Sequence, residues 1–509
     1  MKQKITKKHL IAHGLAEAQA NDIADNVNKL LAGYSATECW SKISKEILHP
    51  DIPFDVHKYI FEVCYAGWDD SRGPRPVWIP TAETIKASNI SKIQTQLGIA
   101  DYKDFHTWSV CNRAAFWELM VKELGIRFKE SYSKIVRIAH SAKRIADGAY
   151  SNLENPQWLV DAKMNIADSC FQDNPQEPAI IYQAEGGKIK KMSHQQLDKL
   201  SNRVANSLTT LGLKRGDAAA IDMIMTVEAV AIYLGIIKAG CVVVSIADSL
   251  APGEVAKRLQ ISSAKLIFTQ DFIIRSGKKL PLYDKILKSD PPVVVVLPAG
   301  EICNSSSSSP VPRPSSLVSG NSLKLRKQDI IWDDFLSQDD KFVSVSSDPS
   351  EYINVLFSSG TTGDPKAIPW THTTPIKSAA DGYLHQNIQP GDVVAWPTNI
   401  GWMMGPWLIF ASLINKATIA LYYGAPVGRE FGQFVQDAKV NMLGVVPSMV
   451  KRWIETDCMK GLDWSNIKVF SSTGEASNSQ DYWWLMSIAG YKPVIEYCGG
   501  TEIGGGYIT

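Results

Sequence analysis

The sequence predicts an α/β protein whose parallel-rich sheets are layered with helices and preceded by a mostly helical stretch. Two observations carry this. From Ala218 to Thr269 the chain reads strand, helix, strand, helix, strand, and from Ile5 to about Phe128 apolar residues recur at helical spacing. In the first region, Ala218 to Met225 reads as a strand, Val227 to Lys238 as a helix, and Cys241 to Ile246 as a β-branched strand. A helix over Gly253 to Ser262 and a strand over Leu266 to Thr269 follow. Crossovers of this length favour a parallel sheet, because each helix has to bury its apolar stripe against a sheet face. In the second region, Ile23, Val27, Leu30 and Leu31 stand at i, i+4, i+7 and i+8.

Pro292 to Leu297 adds a strand, and further strands are expected at Tyr352 to Phe357, Val393 to Pro397, Ala417 to Tyr422, Met442 to Val446, Val469 to Ser472 and Val494 to Tyr497. Between the two α/β regions, Ser305 to Ser322 is rich in Ser and Pro with little to bury, the composition of a linker. The expected organisation is a helical extension over 1–150, an α/β subdomain over 151–300, a Ser/Pro-rich insert and linker over 301–350, and a second α/β subdomain over 351–509. The Gly cluster at Gly504 to Gly506 is read as an ending without a closing strand.

The 53 basic and 52 acidic residues nearly cancel, which removes the electrostatic reason to expect nucleic acid or an anionic membrane as a partner. No apolar run reaches the length of a signal peptide core or a transmembrane span, so neither secretion nor a transmembrane segment is expected. Eight scattered cysteines without C-x-x-C pairs are read as reduced, buried thiols.

The chemistry concentrates in Phe357-Ser358-Ser359-Gly360-Thr361-Thr362-Gly363-Asp364-Pro365-Lys366, which places four hydroxyls, two glycines and a lysine in ten residues after a buried strand. Glycines let backbone N–H groups converge on phosphate oxygens, hydroxyls add donors, and the lysine supplies positive charge. Pro365 stands five residues after Gly360, so the G-x-x-x-x-G-K-[ST] spacing fails and the P-loop ATPases are excluded.

This segment resembles the phosphate loop of the adenylate-forming superfamily, and the likeness to its acetyl-CoA-synthetase-like branch runs collinearly from about Trp158 onward. Ser472 to Ala476 resembles that family's adenine-flanking turn, with Gly474, Glu475 and Ala476 at its contacts. Glu496-Tyr497-Cys498-Gly499-Gly500-Thr501-Glu502 resembles the segment on the other adenine face. The resemblance implies ATP binding by Ser358, Ser359, Gly360, Thr361, Thr362, Gly363, Lys366, Glu496, Tyr497, Cys498, Gly500 and Thr501. It also implies catalytic roles for Thr501, Glu502 and Lys366, with Glu502 holding Mg2+. The implied reaction is ATP-dependent conversion of a carboxylic acid to an acyl-adenylate and then, with CoA, to an acyl-CoA.

Acetate-specific members carry a tryptophan where this chain has Gly499, which implies a deeper pocket and an acid larger than acetate. Trp402, Met403 and Met404 match positions that line the acyl group, and Arg275 and Lys278 match the residues that hold the CoA 3′-phosphate. The family's C-terminal domain and its lysine are not found after Glu502, so a truncated, weakly active ligase is expected. The alternative is a non-catalytic nucleotide-binding isoform. The N-terminal extension resembles that of plant acyl-activating enzymes, many of them peroxisomal, which makes an intracellular address, peroxisomal or otherwise cytoplasmic, the expectation.

Overall fold

In the computed structural model the described residues are 4–137, 156–172, 174–299, 324–358 and 363–509. The Ser305–Ser322 linker and the loop residues Ser359, Gly360, Thr361 and Thr362 lie outside them. The chain forms two compact units, one from Met1–Gln96, Pro426–Cys498 and Ile508–Thr509, the other from Leu97–Ala425 and Gly499–Tyr507.

The first unit begins with four helices, Lys7–Ala12, Glu17–Gly33, Ala36–Glu46 and Phe54–Cys64. Two start with reciprocal caps: Thr6 with His9, and Ser35 with Glu38, each pair satisfying backbone N–H groups that a first turn leaves open. Their apolar stripes meet in a core of Leu10, Val27, Trp40, Ile43, Val56, Ile60 and Cys64, with Ile23 and Leu30 at its margin, so the periodicity read from the sequence is the buried face. The same core takes in Trp483 and Tyr491 from the distant part of the unit. The Trp40 ring meets Trp483 and Tyr491 edge-on, with centroids 6.2 and 5.4 Å away, and His57 Nδ1 lies 2.9 Å from the Tyr491 hydroxyl. Burial pushes the His57 pKa down to about 4. Strands Met442–Val445, Val469–Ser472 and Val494–Glu496 run parallel in this unit, Leu443 pairing with Phe470 and Phe470 with Val494. Cys39, Cys64, Cys170 and Cys241 are buried thiols, whereas Cys111 and Cys498 are exposed and Cys458 half-buried, so the expectation of buried cysteines holds for only part of the set.

The second unit holds the predicted βαβαβ run: strands Ala218–Asp222, Val242–Ile246 and Leu266–Gln270, joined by helices Val227–Lys238 and Pro252–Ser262. They lie in a seven-stranded sheet ordered Ile330–Ile331, Val293–Leu297, Leu266–Gln270, Ala218–Asp222, Val242–Ile246, Tyr352–Ser358, Lys366–Thr371. All of its neighbours are parallel except the last pair. Every residue of the three central strands is buried, which is why they read as continuous apolar runs. The helix Val227–Lys238 is buried on all sides because helix His194–Thr210 packs over it.

Its last residue, Lys238, brings an ammonium into this core. The charge is satisfied by Asp198, by Ser201 Oγ at 2.8 Å and by Asn202 Oδ1 at 2.7 Å. A further set of strands in this unit, Val393–Ala395, Thr418–Tyr422 and Pro178–Gln183, runs parallel, with Lys190–Ser193 antiparallel at its edge. The Gly504 to Gly506 cluster departs from expectation, since Gly505–Ile508 is a strand paired with Cys498–Gly500.

Candidate functional site

The strands Tyr352–Ser358 and Lys366–Thr371 are antiparallel, with Ser358 opposite Lys366. The two described ends of the Ser/Thr/Gly-rich segment, Ser358 and Lys366, therefore sit side by side where the paired strands stop. Lys366 and Gly363 are exposed, and Asp364 is held by Lys257 at 3.1 Å.

The turn Thr501–Ile503 packs against both strands of this hairpin. Trp370, 1% exposed, fixes it there by donating its indole N–H to the Thr501 carbonyl at 2.8 Å. The strand after the turn is anchored to helix Thr374–Leu384. Ser378 Oγ donates to the Gly504 carbonyl at 2.7 Å, Lys377 Nζ to the Gly506 carbonyl at 2.9 Å, and Gly506 N–H to Asp381 at 2.9 Å. Thr501 is in this way tied to Trp370, which pairs with Asn354 in the hairpin, while Ser358 and Lys366 stand at the end where the two strands enter the loop.

Glu502 is exposed and makes no ion pair among the described residues. An exposed carboxylate of this kind fits a hard divalent cation that shares its ligands with phosphate oxygens, and bound Mg2+ would neutralise their charge.

Gly499 lies in a second hairpin, where Cys498–Gly500 pairs with Gly505–Ile508 across the Thr501–Ile503 turn. A Cβ there would stand 2.1 Å from the Gly505 carbonyl oxygen, so the strand opposite already fills the direction a side chain would take. The absence of the indole is thus a condition of this backbone pairing, and the depth of a pocket cannot be read from the missing ring alone. Trp402 is exposed, Met403 half-buried and Met404 buried at the start of helix Met404–Leu413. The turn ahead of them is pressed onto the central sheet, because a Cβ on Gly401 would lie 2.0 Å from the Ala247 nitrogen.

Arg275 and Lys278 face each other across a two-residue hairpin whose turn residues, Ser276 and Gly277, both have positive φ. The turn is occupied by a carboxylate: Ser276 N–H and Gly277 N–H donate to Glu185 at 3.2 and 2.8 Å. Arg275 itself is paired with buried Asp248 at 2.7 Å.

Of the segments expected to flank adenine, residues 472–476 and 496–498 lie in the first unit, and residues 499–502 in the second. Gly474, Glu475 and Ala476 are exposed, and Glu475 accepts from Ser448 N–H at 2.8 Å and Ser448 Oγ at 2.9 Å. Glu496 and Cys498 are exposed while Tyr497 is buried, its N–H donating to the Ser472 carbonyl at 2.8 Å. The sequence reading did not single out Trp370, Asp248, Glu185 or Ser448. None belongs to a motif, and each is defined by a partner far along the chain.

Comparison with known proteins agrees with this architecture. Residues 168–509 match the family described as AMP-binding enzyme, and the chain belongs to that family, in its acyl-CoA synthetase-type group of AMP-forming ligases. Residues 2–66 match the SAM domain of "Probable acyl-activating enzyme 17/18", a domain that the sequence reading included in its helical extension without separating it.

Among curated relatives, the chain is 41% identical over 533 residues to "Probable acyl-activating enzyme 17, peroxisomal" of Arabidopsis thaliana, covering 99% of this chain and 69% of that protein. It is also 41% identical over 535 residues to "Hexanoyl-CoA synthase" of Cannabis sativa, with the same coverage. The chain thus spans about two thirds of the length of these relatives. A solved acetoacetyl-CoA synthetase from Streptomyces lividans shares the fold, with a TM-score of 0.73 at 22% identity, over 85% of this chain and 66% of that one. No helix among the described residues is long and apolar enough to cross a membrane.

Proposed function

We propose that this chain activates a carboxylic acid larger than acetate with ATP and Mg2+, forming an acyl-adenylate that CoA then converts to an acyl-CoA. The observation that carries the reading is that the turn Thr501–Ile503, which holds Glu502, packs on the same two strands whose ends, Ser358 and Lys366, flank the phosphate-type segment, and is tied to them by Trp370. Adenylation needs little covalent help from the protein. The carboxylate attacks the α-phosphate, and catalysis is positioning plus neutralisation of the charge on departing pyrophosphate. Lys366 supplies charge to that pyrophosphate, Thr501 a phosphate contact, and Glu502 the metal-binding carboxylate.

Gly474, Glu475, Ala476, Glu496, Tyr497 and Cys498 contribute to holding the adenine. Trp402, Met403 and Met404 line the acyl group, while Arg275 and Lys278 hold the CoA 3′-phosphate. The name of the Cannabis sativa relative supports a medium-chain acid, and that of the Arabidopsis relative supports a peroxisomal location.

The test is ATP–pyrophosphate exchange with acids of two to ten carbons, roughly the range over which each buried methylene adds about 0.8 kcal/mol to binding. The proposal expects exchange that favours medium chains over acetate and falls strongly in Lys366→Ala and Glu502→Gln. ATP binding without exchange for any acid would replace the ligase reading with a nucleotide-binding one.

A further inference from the structure

Asp248 follows the central strand Val242–Ile246 at its carboxyl end, and only 5% of its side chain is exposed. Its two carboxylate oxygens serve different parts of the unit. Oδ2 accepts from Arg275 Nη2 at 2.7 Å, on the hairpin that carries Lys278. Oδ1 accepts from Asn399 Nδ2 at 2.8 Å. Asn399 in turn accepts from Gly401 N–H at 2.8 Å and donates to the Met223 carbonyl at 3.0 Å, and so fixes the turn that leads into Trp402, Met403 and Met404. The backbone of Asp248 is held as well, its carbonyl accepting from Lys285 Nζ at 2.9 Å. That ammonium also bridges both oxygens of fully buried Asp222 at 2.9 Å.

A buried carboxylate whose oxygens are divided between two partners cannot lose one without rearranging toward the other, because an unpaired charge away from water is costly. Asn399 has little freedom to absorb that rearrangement. Gly401, which it holds, lies against the Ala247 backbone, one residue before Asp248. A dianionic phosphate arriving at Arg275 and Lys278 would compete with Asp248 for the guanidinium, and the change would reach the turn through a single side chain.

We propose that Asp248 is a positioning residue that couples the state of Arg275 to the placement of the 400–404 turn, so that recognition of the CoA phosphate and selection of the acyl chain are linked. This rests on the ligase reading and on its assignment of Arg275 to CoA and of the turn to the acyl group. The linkage has a consequence that separate roles would not have: replacing Arg275 changes acyl-chain preference in the adenylation step, where CoA takes no part.

The experiment measures ATP–pyrophosphate exchange without CoA, comparing the ratio of hexanoate to acetate turnover for the unaltered chain, Arg275→Ala, Arg275→Lys, Asp248→Asn and the Arg275→Ala/Asp248→Asn double variant. Arg275 is on the surface, so its replacement leaves the core intact, and general loss of folded protein lowers turnover of every acid without moving the ratio. The expected result is a shift of about threefold or more in Arg275→Ala, restoration in Arg275→Lys, and no further shift when Arg275→Ala is added to Asp248→Asn. An unmoved ratio in Arg275→Ala, or independent multiplication of the two single effects, overturns the coupling while leaving the ligase reading intact. Absence of exchange in the unaltered chain overturns the ligase reading itself, and the coupling with it.

Discussion

Replacing Gly499 by alanine adds one methyl group at the point where the hairpin has no room. Its Cβ would sit 2.1 Å from the Gly505 oxygen, 2.8 Å from the Gly505 carbonyl carbon and 2.9 Å from the Gly506 Cα. Relief requires the strands to part by about 1 Å, given that real Cβ contacts essentially never fall below 3.0 Å. The opposing strand cannot move freely, because Ser378, Lys377 and Asp381 hold Gly504 and Gly506 through three hydrogen bonds. Overpacking of this kind costs about 1–3 kcal/mol, and loss of one charge-assisted hydrogen bond adds about 2, so the expected destabilisation is on the order of 3 kcal/mol.

The turn Thr501–Ile503 lies between the two strands in sequence and moves with them. If Thr501 and Glu502 act as proposed, a displacement near 1 Å lowers turnover by on the order of 10- to 100-fold. Thermal unfolding and ATP–pyrophosphate exchange on Gly499→Ala, with Gly499→Trp as the larger insertion, report the two effects. A Gly499→Trp protein that melts like the original and gains acetate preference would refute the argument, since it would show that the indole enters a vacant pocket.

Other consequences can be measured independently. Trp370→Phe removes the donor to the Thr501 carbonyl and is expected to cost about 1–2 kcal/mol in denaturant unfolding while lowering exchange and raising the Mg2+ concentration it requires; unchanged Mg2+ dependence would mean the indole does not position Glu502. Burial holds His57 and His372 neutral, each with its pKa pushed down to about 4 from an ordinary value near 6.5. A depressed histidine pKa gives stability that is present above the unfolded value and lost as pH falls through the folded one, so stability should decline between about pH 6.5 and 4, by up to roughly 3 kcal/mol for each histidine. His372→Gln should flatten that decline in urea titrations at pH 7, 5 and 4, since a glutamine oxygen can still accept from Ile166 N–H, which now donates to His372 Nδ1 at 3.1 Å; an unchanged slope would remove His372 from the account. Glu475→Gln should weaken ATP binding measured by calorimetry through loss of the charge-assisted bonds from Ser448, and equal affinity would show that this turn does not need them.

The strands were legible in the sequence because burial on both faces leaves runs that are mostly apolar, as in Val242–Ile246. Val469–Ser472 forms where expected, and Ala218–Asp222 ends three residues before the reading did, at a buried aspartate paired with Lys285. The phosphate-type loop was legible because its chemistry is contiguous. Asp248 was not: its partners stand 27 and 151 residues away, and no local pattern marks an aspartate that two distant segments will share. Gly499 read as an omitted tryptophan, whereas its neighbour across the hairpin imposes the glycine. The separate character of residues 2–66 was hidden for a similar reason, since helical periodicity continues past them into helices of the other unit.

The hydrogen bond between His57 and Tyr491 spans 434 residues, and it sets an order on synthesis. A segment near the start of a chain is ordinarily free to fold as it leaves the ribosome, but here Trp40 and Phe61 keep an apolar face whose covering rings, Trp483 and Tyr491, are made more than 400 residues later. At ordinary elongation rates that face waits on the order of 20 to 90 s for its partner. During that interval these helices expose apolar surface that only the later segment covers, which makes their completion a late step of folding.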